Sequence, residues 1–287
     1  MDNAAESVTH CPINADGHKV KAHIFQQNLA DNAYVADIYV GNPPQPIKAL
    51  FDTGSTNTWI LNADTPLPGN AHKERAFHTQ KSQTFTPTSQ KAKIFFGSGD
   101  LSGNFVTDTM RLGTCDGQSS GQVVIKDQKF GNVLQQKTIF TGSNFEAIIG
   151  MAYPALAEPG VRPVFDEMMA QNLLESNMFA FFLSSQQDEA QGRKSDLTFG
   201  YYDKTKFKGD IHWNDIKLKY MFGVKLDDIK VNGVATGVCA DRPQGCLITF
   251  DSGTSLQSMP KFAIKKFKHL GLPTATNLVQ CQSKNDF

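Results

Sequence analysis

The strongest constraint on this chain is a seven-residue pattern that occurs twice, 199 residues apart. The first copy, LFDTGST, covers Leu50–Thr56, and the second, TFDSGTS, covers Thr249–Ser255. Both copies place Phe, Asp and Gly at the same offsets, and hydroxyl residues fill the three other positions after the aspartate. Ordinary residue usage would give two copies of the Asp-[Ser/Thr]-Gly-[Ser/Thr] core in on the order of one in ten thousand chains of this length. The fold must therefore need the same local structure in two places.

Each copy predicts a sharp turn that presents a carboxyl group. An apolar strand leads into the aspartate, and Gly54 or Gly253, two residues later, lets the backbone bend where a side chain would clash. The flanking hydroxyls are suited to donate hydrogen bonds that hold the carboxyl group in one orientation. A single copy would most simply be an Asx-type turn, in which the aspartate accepts local backbone hydrogen bonds. The repetition favours a chemical role instead.

Two such turns that face each other would form an acid–base site. Carboxyl groups a few ångström apart cannot both ionise, so they share one proton and one of the two pKa values rises strongly. Asp52 and Asp251 are therefore the candidate catalytic residues, acting as general base and general acid on one water molecule. This chemistry requires no metal and no cofactor, and none is expected.

Composition argues against several other classes of function. Lys and Arg (28) balance Asp and Glu (28) among the 287 residues, so no net field favours nucleic acid or an anionic membrane as a partner. No apolar stretch approaches the roughly 18 residues that a membrane span requires. The first thirty residues lack the basic-then-apolar pattern of a signal peptide. The five cysteines form no C-x-x-C pair, and no His or Cys pair has zinc-ligand spacing.

Short strands separated by turn residues make up most of the chain, a pattern typical of a sandwich or barrel. The segments with this character are Tyr34–Val40, Lys91–Phe96, Phe105–Leu112 and Gln122–Phe130. Apolar residues at helical spacing predict one helix within Val161–Leu174. A second helix is predicted to begin at Pro260, because the fixed φ of proline suits a first helical turn. The polar segment Ser184–Ser195 is the best candidate for a linker.

With these residues in view, the chain resembles the pepsin family of aspartic proteases from about Asn32 to its end. Asp52–Ile60 matches the family's first active-site segment, and Asp251–Ser255 matches the second. The sequence FEAIIGMAYP at Phe145–Pro154 resembles the apolar-apolar-Gly segment that packs beneath the first motif. The resemblance implies a mostly β, bilobal fold in which each lobe supplies one catalytic aspartate. The cleft between the lobes would take an extended protein or peptide substrate.

The resemblance also divides the chain. It implies an N-terminal extension at residues 1–31, an N-terminal lobe at residues 32–185 with the first aspartate and a flap, and a partial C-terminal lobe at residues 186–287. The residues that would support the aspartates are Thr53, Gly54, Ser55, Trp59, Ser252, Gly253 and Thr254. Among them, Ser55 and Thr254 would hydrogen-bond the outer carboxyl oxygens. The residues expected in the flap or against the substrate are Phe96, Gly97, Ser98, Ile139, Phe145, Ile148 and Ser255.

The flap departs from the family pattern at one position. Phe96 stands where the family usually has a tyrosine, followed here by Gly97 and Ser98. In the family that tyrosine hydroxyl bonds the tryptophan matched by Trp59. Losing one such bond costs roughly 0.5–1.5 kcal/mol, so the expectation is slower turnover rather than abolished chemistry.

The second departure concerns length. The segment Ile148–Gly150 lies about a hundred residues after Asp52, whereas only 36 residues follow Asp251. A pseudo-symmetric second lobe would need its own apolar-apolar-Gly segment at a similar distance. The expectation is therefore an incomplete second lobe, with apolar surface and strand edges uncovered near Asp251. Such a chain would fold poorly or lack activity by itself.

Cys239 and Cys246 occupy the place of a small disulfide loop in the family. That pairing implies an oxidising compartment, so a secreted protein or one of an endomembrane or vacuolar lumen is expected. The expected state is a monomer. Two other hypotheses remain: a catalytically weak relative that binds peptides or acts as a decoy, and a single-lobe protein that dimerises as viral aspartic proteases do. The presence of both motifs in one chain disfavours the second of these.

Overall fold

Strands dominate this chain, as the spacing of its apolar residues predicts. The structure is a computed structural model, and it describes residues 19–67, 75–96, 99–113, 121–136, 139–140 and 142–269. Within these ranges the chain folds into fifteen strands and three short α-helices. The mostly β fold expected from the sequence is confirmed.

Ten strands form one large sheet, in the order β5-β6-β7-β4-β8-β3-β2-β1-β10-β9. They are β1 (Ala22–Leu29), β2 (Ala33–Val40), β3 (Gln45–Asp52), β4 (Trp59–Leu61), β5 (Thr86–Phe96), β6 (Gly99–Leu112), β7 (Val123–Gln136), β8 (Ala147–Gly150), β9 (Phe179–Phe182) and β10 (Ser195–Phe199). The other strands are β11 (Ile216–Leu218), β12 (Gly223–Leu226), β13 (Lys230–Val231), β14 (Val234–Ala235) and β15 (Cys246–Ile248). They form a three-stranded sheet, β11-β12-β15, and a hairpin of β13 with β14.

The three helices span Val164–Ala170, Gln186–Ala190 and Lys261–His269. The first is shorter than the predicted Val161–Leu174, because Pro163 stands at its N-cap and the chain leaves the helix after Gln171. The third begins directly after Pro260, as predicted.

The prediction of a linker at Ser184–Ser195 is wrong. Ser185 caps the helix Gln186–Ala190 by accepting a hydrogen bond from the Asp188 amide. Ser184 and Ser195 are both buried, and their hydroxyl oxygens lie 2.8 Å apart. The polar residues that suggested a linker are therefore used in a helix cap and in a buried hydrogen bond between Ser184, two residues after β9, and Ser195, the first residue of β10.

Two hydrophobic clusters cover the two faces of the sheet around β3 and β8. Phe51 and Ile149 belong to one cluster, whereas Leu50 and Ile148 belong to the other. Successive residues of a strand point to opposite faces, so each of these strands contributes to both clusters. The aspartate at the end of β3 is thus fixed by a strand that is packed on both sides.

The predicted extension at residues 1–31 contains β1, which pairs with β2 and with β10. Through β1 the large sheet runs from strands of the predicted N-terminal lobe to β10, which lies in the predicted C-terminal lobe. The boundaries at residues 31 and 185 stay predictions.

Candidate active site

The first repeated motif forms a turn directly after β3. The Gly54 amide donates to Oδ1 of Asp52 over 2.9 Å, and the Ser55 hydroxyl donates to Oδ2. Directly after β8, the Met151 amide donates to the Asp52 carbonyl oxygen (2.8 Å) and the Ala152 amide donates to the Ser55 carbonyl oxygen (2.9 Å). Asp52 is 9% exposed. Side chain and backbone of this turn are therefore both held in place.

The second motif repeats the same carboxyl contacts. The Gly253 amide donates to Oδ1 of Asp251 over 2.8 Å, and the Thr254 hydroxyl donates to Oδ2 over 2.7 Å. Asp251 is only partly buried. The sequence repeat thus corresponds to a repeat in geometry, in which Ser55 and Thr254 each donate to Oδ2 of the aspartate three residues before them.

Reciprocal hydrogen bonds tie the two turns together. Thr53 donates through Oγ1 to the Phe250 carbonyl oxygen (2.7 Å) and accepts at Oγ1 from the Ser252 amide (2.9 Å). Ser252 in turn donates through Oγ to the Phe51 carbonyl oxygen (2.7 Å) and accepts from the Thr53 amide (3.0 Å). The two hydroxyl oxygens are 3.3 Å apart. The hydroxyl that follows each aspartate therefore fixes the position of the opposite turn.

Each carboxyl group packs against the glycine of the opposite turn. A Cβ atom added to Gly54 would lie 2.3–2.6 Å from the carboxyl atoms of Asp251. One added to Gly253 would lie 2.2 Å from Oδ1 and 2.5 Å from Cγ of Asp52. Glycine is required at both positions because any side chain would occupy the space of a carboxyl group. The two turns thus bring the aspartates together, as the repeat predicts.

The environment of Asp52 favours its protonated form. Burial raises the pKa of Asp52 from 3.8 to about 6, against the opposing effect of the hydrogen bond from Ser55. Repulsion from the Asp251 carboxyl raises this pKa further, and the Gly54 amide lowers it. A carboxyl pair in which one member keeps its proton at mildly acidic pH can provide a general acid and a general base at once.

Trp59, which the resemblance assigns to the support of the first turn, lies in the hydrophobic core. It is fully buried, and its ring packs 5.7 Å from the Phe105 ring. Its indole Nε1 has no hydrogen-bond partner among the described residues. Phe96 ends β5, while Gly97 and Ser98 of the predicted flap lie outside the described residues.

Three of the apolar residues expected against the substrate belong to one hydrophobic cluster. Ile139 and Phe145 are partly buried, and Ile148 is 6% exposed. The Phe145 ring also packs edge-on against Phe140 at 6.1 Å. Ile148 therefore acts mainly in packing, and the role of the other two in substrate binding stays a prediction.

Ser255 contacts another part of the chain. Its hydroxyl donates a hydrogen bond to the carbonyl oxygen of Asn32, in the turn between β1 and β2. The resemblance places Ser255 against the substrate, whereas this bond links the end of the second motif to the first half of the chain.

The predicted disulfide between Cys239 and Cys246 is confirmed. Cys239 is buried and packs in a small cluster with Ala263 of the helix Lys261–His269. Within the disulfide loop, the Arg242 guanidinium lies 3.8 Å from the centre of the Phe262 ring. Cys246 is the first residue of β15 and lies five residues before Asp251.

A cavity that sequence reasoning missed opens beside the second aspartate, with a volume of about 610 Å³. We call it the Phe250 cavity. It is lined by Thr53, Tyr153, Phe165, Asn177, Met178, Phe179, Phe181, Leu183, Phe222, Phe250, Asp251 and Ser252. The sequence FAFF of β9 was the available signal, but nothing in its spacing connects it to residue 250.

Across the described ranges, no three or more His, Cys, Asp or Glu side chains are grouped as metal ligands would be. Nor does any described helix have the length and apolar character needed to cross a membrane.

Comparison with known proteins agrees with this geometry. A family model described as eukaryotic aspartyl protease matches residues 33–286. The chain is similar to cathepsin E of Mus musculus, with 36% identity over 244 residues, which is 84% of this chain and 57% of that protein. It is also similar to pepsin A-5 of Mus musculus (32% identity, 85% of this chain, 59% of that protein) and pepsin F of Oryctolagus cuniculus (34%, 82% and 56%). The chain thus spans less than three fifths of the length of these relatives.

Proposed function

We propose that this chain, which belongs to the eukaryotic aspartyl protease family, is an aspartic endopeptidase that hydrolyses peptide bonds with Asp52 and Asp251. The observation that carries the proposal is the contact between the two repeated turns. Each carboxyl group lies against the glycine of the other turn, and the Thr53 and Ser252 hydroxyls lock this arrangement. Two carboxyl groups held in this way can act on one water molecule.

The chemistry follows from the unequal surroundings of the two carboxyl groups. The pair shares one proton, which we assign to Asp52 because burial raises its pKa, and the Asp251 carboxyl group is the proton acceptor of the mechanism. The carboxylate takes a proton from water as the water oxygen bonds to the substrate carbonyl carbon, and Asp52 gives its proton to the carbonyl oxygen. When the resulting tetrahedral diol collapses, the C–N bond breaks, Asp251 gives the proton that it took from water to the leaving nitrogen, and Asp52 takes a proton from one diol hydroxyl as the new carbonyl forms. The pair is then again singly protonated.

The supporting hydroxyls keep both carboxyl groups aimed at the reacting atoms. The Ser55 and Thr254 hydroxyls bond one oxygen of each carboxyl group, and the turn amides bond the other. Because these donors are fixed before substrate binds, the reaction does not have to reorganise them.

The substrate is an extended segment of a protein or peptide. Gly54 and Gly253 present backbone without side chains beside the carboxyl groups, which suits binding through main-chain hydrogen bonds. Ile139, Phe145 and Phe96 favour apolar residues on either side of the cleaved bond. The disulfide between Cys239 and Cys246 supports an oxidising compartment, such as a secretory or endomembrane lumen. We further propose that the chain acts as a monomer, because both aspartates come from one chain.

The test is peptidolysis by the purified 287-residue chain at mildly acidic pH. Asp52→Asn and Asp251→Asn should each lower kcat by at least a hundredfold, the usual lower range for loss of general acid–base catalysis. Asp37→Asn is the matched control, because Asp37 lies outside the site and pairs with Arg75 on the surface. Cleavage that survives either active-site substitution would contradict the proposal.

A second candidate function is peptide binding with little catalysis. One observation favours it: Phe250, next to the second aspartate, is 72% exposed. A statine-type transition-state mimic separates the two functions, since tight binding of such a mimic requires a working carboxyl pair. Tight binding that Asp251→Asn abolishes supports the endopeptidase, and binding of peptides without binding of the mimic supports the alternative.

A further inference from the structure

The last hydroxyl of each repeated motif bonds a backbone carbonyl oxygen. Thr56 and Ser255 occupy the same position in the two copies, 199 residues apart. The Thr56 hydroxyl donates to the Tyr153 carbonyl oxygen over 3.1 Å, and the Ser255 hydroxyl donates to the carbonyl oxygen of Asn32. No described hydrogen bond joins either hydroxyl to a catalytic carboxyl group. The two bonds therefore hold the backbone of the motif in place rather than orient a carboxyl oxygen.

The two carbonyl acceptors belong to different parts of the chain. Tyr153 comes just after β8, the strand that pairs with β3, and lies 97 residues after Thr56. Asn32 lies between β1 and β2, 223 residues before Ser255. The first catalytic turn is thus anchored to the segment after its neighbouring strand. The second catalytic turn is anchored to a hairpin near the beginning of the chain.

The Asn32 carbonyl is presented by a tight turn at residues 29–32, which we call the β1–β2 turn. The Asn32 amide donates to the Leu29 carbonyl oxygen over 3.1 Å. Between them, Ala30 and Asp31 both have positive φ, at 56° and 57°. Glycine adopts this conformation freely, whereas a residue with a Cβ adopts it at a cost. Strained turns of this kind persist where surrounding contacts fix them, and they cluster at functional sites.

Side chains brace the β1–β2 turn. The Asp31 amide donates to Oδ1 of Asn28 (2.7 Å), and Nδ2 of Asn28 donates to Oδ1 of Asp31 (2.6 Å). The same Asp31 oxygen accepts from the Gln186 amide over 2.8 Å, and Nδ2 of Asn28 also donates to the Ser184 carbonyl oxygen over 2.8 Å. The turn is therefore held by its own hairpin and by the segment that begins the helix Gln186–Ala190.

We propose that Ser255 is a positioning residue of the catalytic site and that the β1–β2 turn, braced by Asp31, acts through it. The Ser255 hydroxyl fixes the end of the second motif on the Asn32 carbonyl oxygen. The preceding residue, Thr254, donates its hydroxyl to Oδ2 of Asp251 over 2.7 Å. A shift at residue 255 therefore moves the donor that orients the second carboxyl group. The inference rests on the proposed function, because it assigns a further residue to the same site.

Peptidolysis by the full 287-residue chain tests the Ser255 hydroxyl. Ser255→Ala should lower kcat about fivefold, the usual effect of losing one hydrogen bond. KM should stay unchanged, because the hydroxyl contacts backbone rather than substrate. Ser255→Thr should retain most of the activity, since Thr56 makes the equivalent bond in the first motif. The matched control is Ser82→Ala: the Ser82 hydroxyl accepts from the Asn42 amide over 3.0 Å, and no described hydrogen bond joins it to either motif.

Substitutions at Asp31 test the path through the β1–β2 turn. Asp31→Ala removes the acceptor of the Asn28 and Gln186 donors and should lower kcat by no more than Ser255→Ala does. Asp31→Asn keeps an Oδ1 acceptor at the same place and should retain activity. The double variant Asp31→Ala with Ser255→Ala should have the kcat of Ser255→Ala alone, because the turn then has no bond through which to act.

Hydrogen exchange provides a readout that does not need peptidolysis. The Gly253 amide donates to Oδ1 of Asp251 over 2.8 Å, so its exchange rate reports how firmly the second turn is held. Mass spectrometry of fragments that contain residues 249–255 should show faster exchange in Ser255→Ala and in Asp31→Ala. Exchange in Ser255→Thr and in Ser82→Ala should match that of the unsubstituted chain.

Three results would overturn the inference. A raised KM with unchanged kcat in Ser255→Ala would make Ser255 a substrate-binding residue. Effects of Asp31→Ala and Ser255→Ala that multiply in the double variant would mean that the two residues act independently. Peptidolysis in which Ser255→Ala changes neither kcat nor exchange would leave the proposed function standing without this positioning role. The expected exchange pattern in a chain that lacks peptidolysis would support the link between the turns and count against the proposed function.

Discussion

Removal of the Thr53 hydroxyl tests whether the two aspartate turns depend on each other. Thr53→Val keeps the shape of the side chain but loses the bond to the Phe250 carbonyl oxygen and the bond from the Ser252 amide, at 2.7 and 2.9 Å. Each unsatisfied group costs about 1–3 kcal/mol when fully buried. Because these two groups are only partly buried, we expect about 2–3 kcal/mol of lost stability in total.

The diagnostic quantity is the coupling between the two turns. Ser252→Ala removes the reciprocal pair of bonds, to the Phe51 carbonyl oxygen and from the Thr53 amide. Once one hydroxyl is removed, the two turns can move apart, and the other hydroxyl then contributes less to the free energy of unfolding. The double variant should therefore be less destabilised than the sum of the single variants, by about 1 kcal/mol.

Urea unfolding followed by tryptophan fluorescence measures these differences, and peptidolysis provides kcat for each variant. Thr65→Val is the control: its buried hydroxyl donates to the Val133 carbonyl oxygen over 2.6 Å, and no described hydrogen bond joins Thr65 to either motif. Its effect should add to that of Thr53→Val and leave kcat nearly unchanged. Strict additivity of Thr53→Val and Ser252→Ala, with unaltered kcat, would refute the claim that the hydroxyls join the two turns.

Three further outcomes follow from the geometry. Because burial raises the pKa of Asp52 to about 6, peptidolysis should fall as the pH rises through that value. The contribution of Asp52 to the free energy of unfolding should be complete below about pH 3.8 and be lost as the pH rises to about 6. Asp52→Asn should remove this pH dependence from the stability measured by urea unfolding. Gly54→Ala should lower kcat at least a hundredfold in a peptidolysis assay, since its Cβ would meet the Asp251 carboxyl group at 2.3–2.6 Å. Replacing Cys239 and Cys246 by Ser should lower stability by roughly 2–3 kcal/mol, the value for so short a loop, and an unchanged urea midpoint would contradict this.

The sequence predicted the local part of the site well, because turn geometry depends on neighbouring residues. Asp52 and Asp251, their glycines and the hydroxyls three residues on all occupy the positions that a carboxyl-presenting turn requires. The exchange of hydrogen bonds between Thr53 and Ser252 was not predicted. It joins residues 199 positions apart, and no spacing within either motif indicates such a contact.

Long-range packing explains the other differences. The Phe250 cavity collects side chains from β9, the segment before it and the loop at Phe222, which no sequence periodicity connects. The segment Ser184–Ser195 has the composition of a linker, but the serines at its two ends are buried and hydrogen-bond each other. Composition shows that a segment is polar, but only the folded structure shows whether its polar side chains face solvent or form buried hydrogen bonds.

The repeat itself shows where sequence similarity stops determining structure. Two motifs with matching residues place their carboxyl groups in matching hydrogen bonds, yet Phe51 is buried and Phe250 is exposed. Local chemistry therefore follows from the motif, and burial follows from the strand that covers it. Desolvation is the largest contribution to the raised pKa of Asp52, ahead of the hydrogen bond from Ser55 that lowers it. The acid–base behaviour of this carboxyl group is therefore set by its burial more than by the hydrogen bonds within the motif.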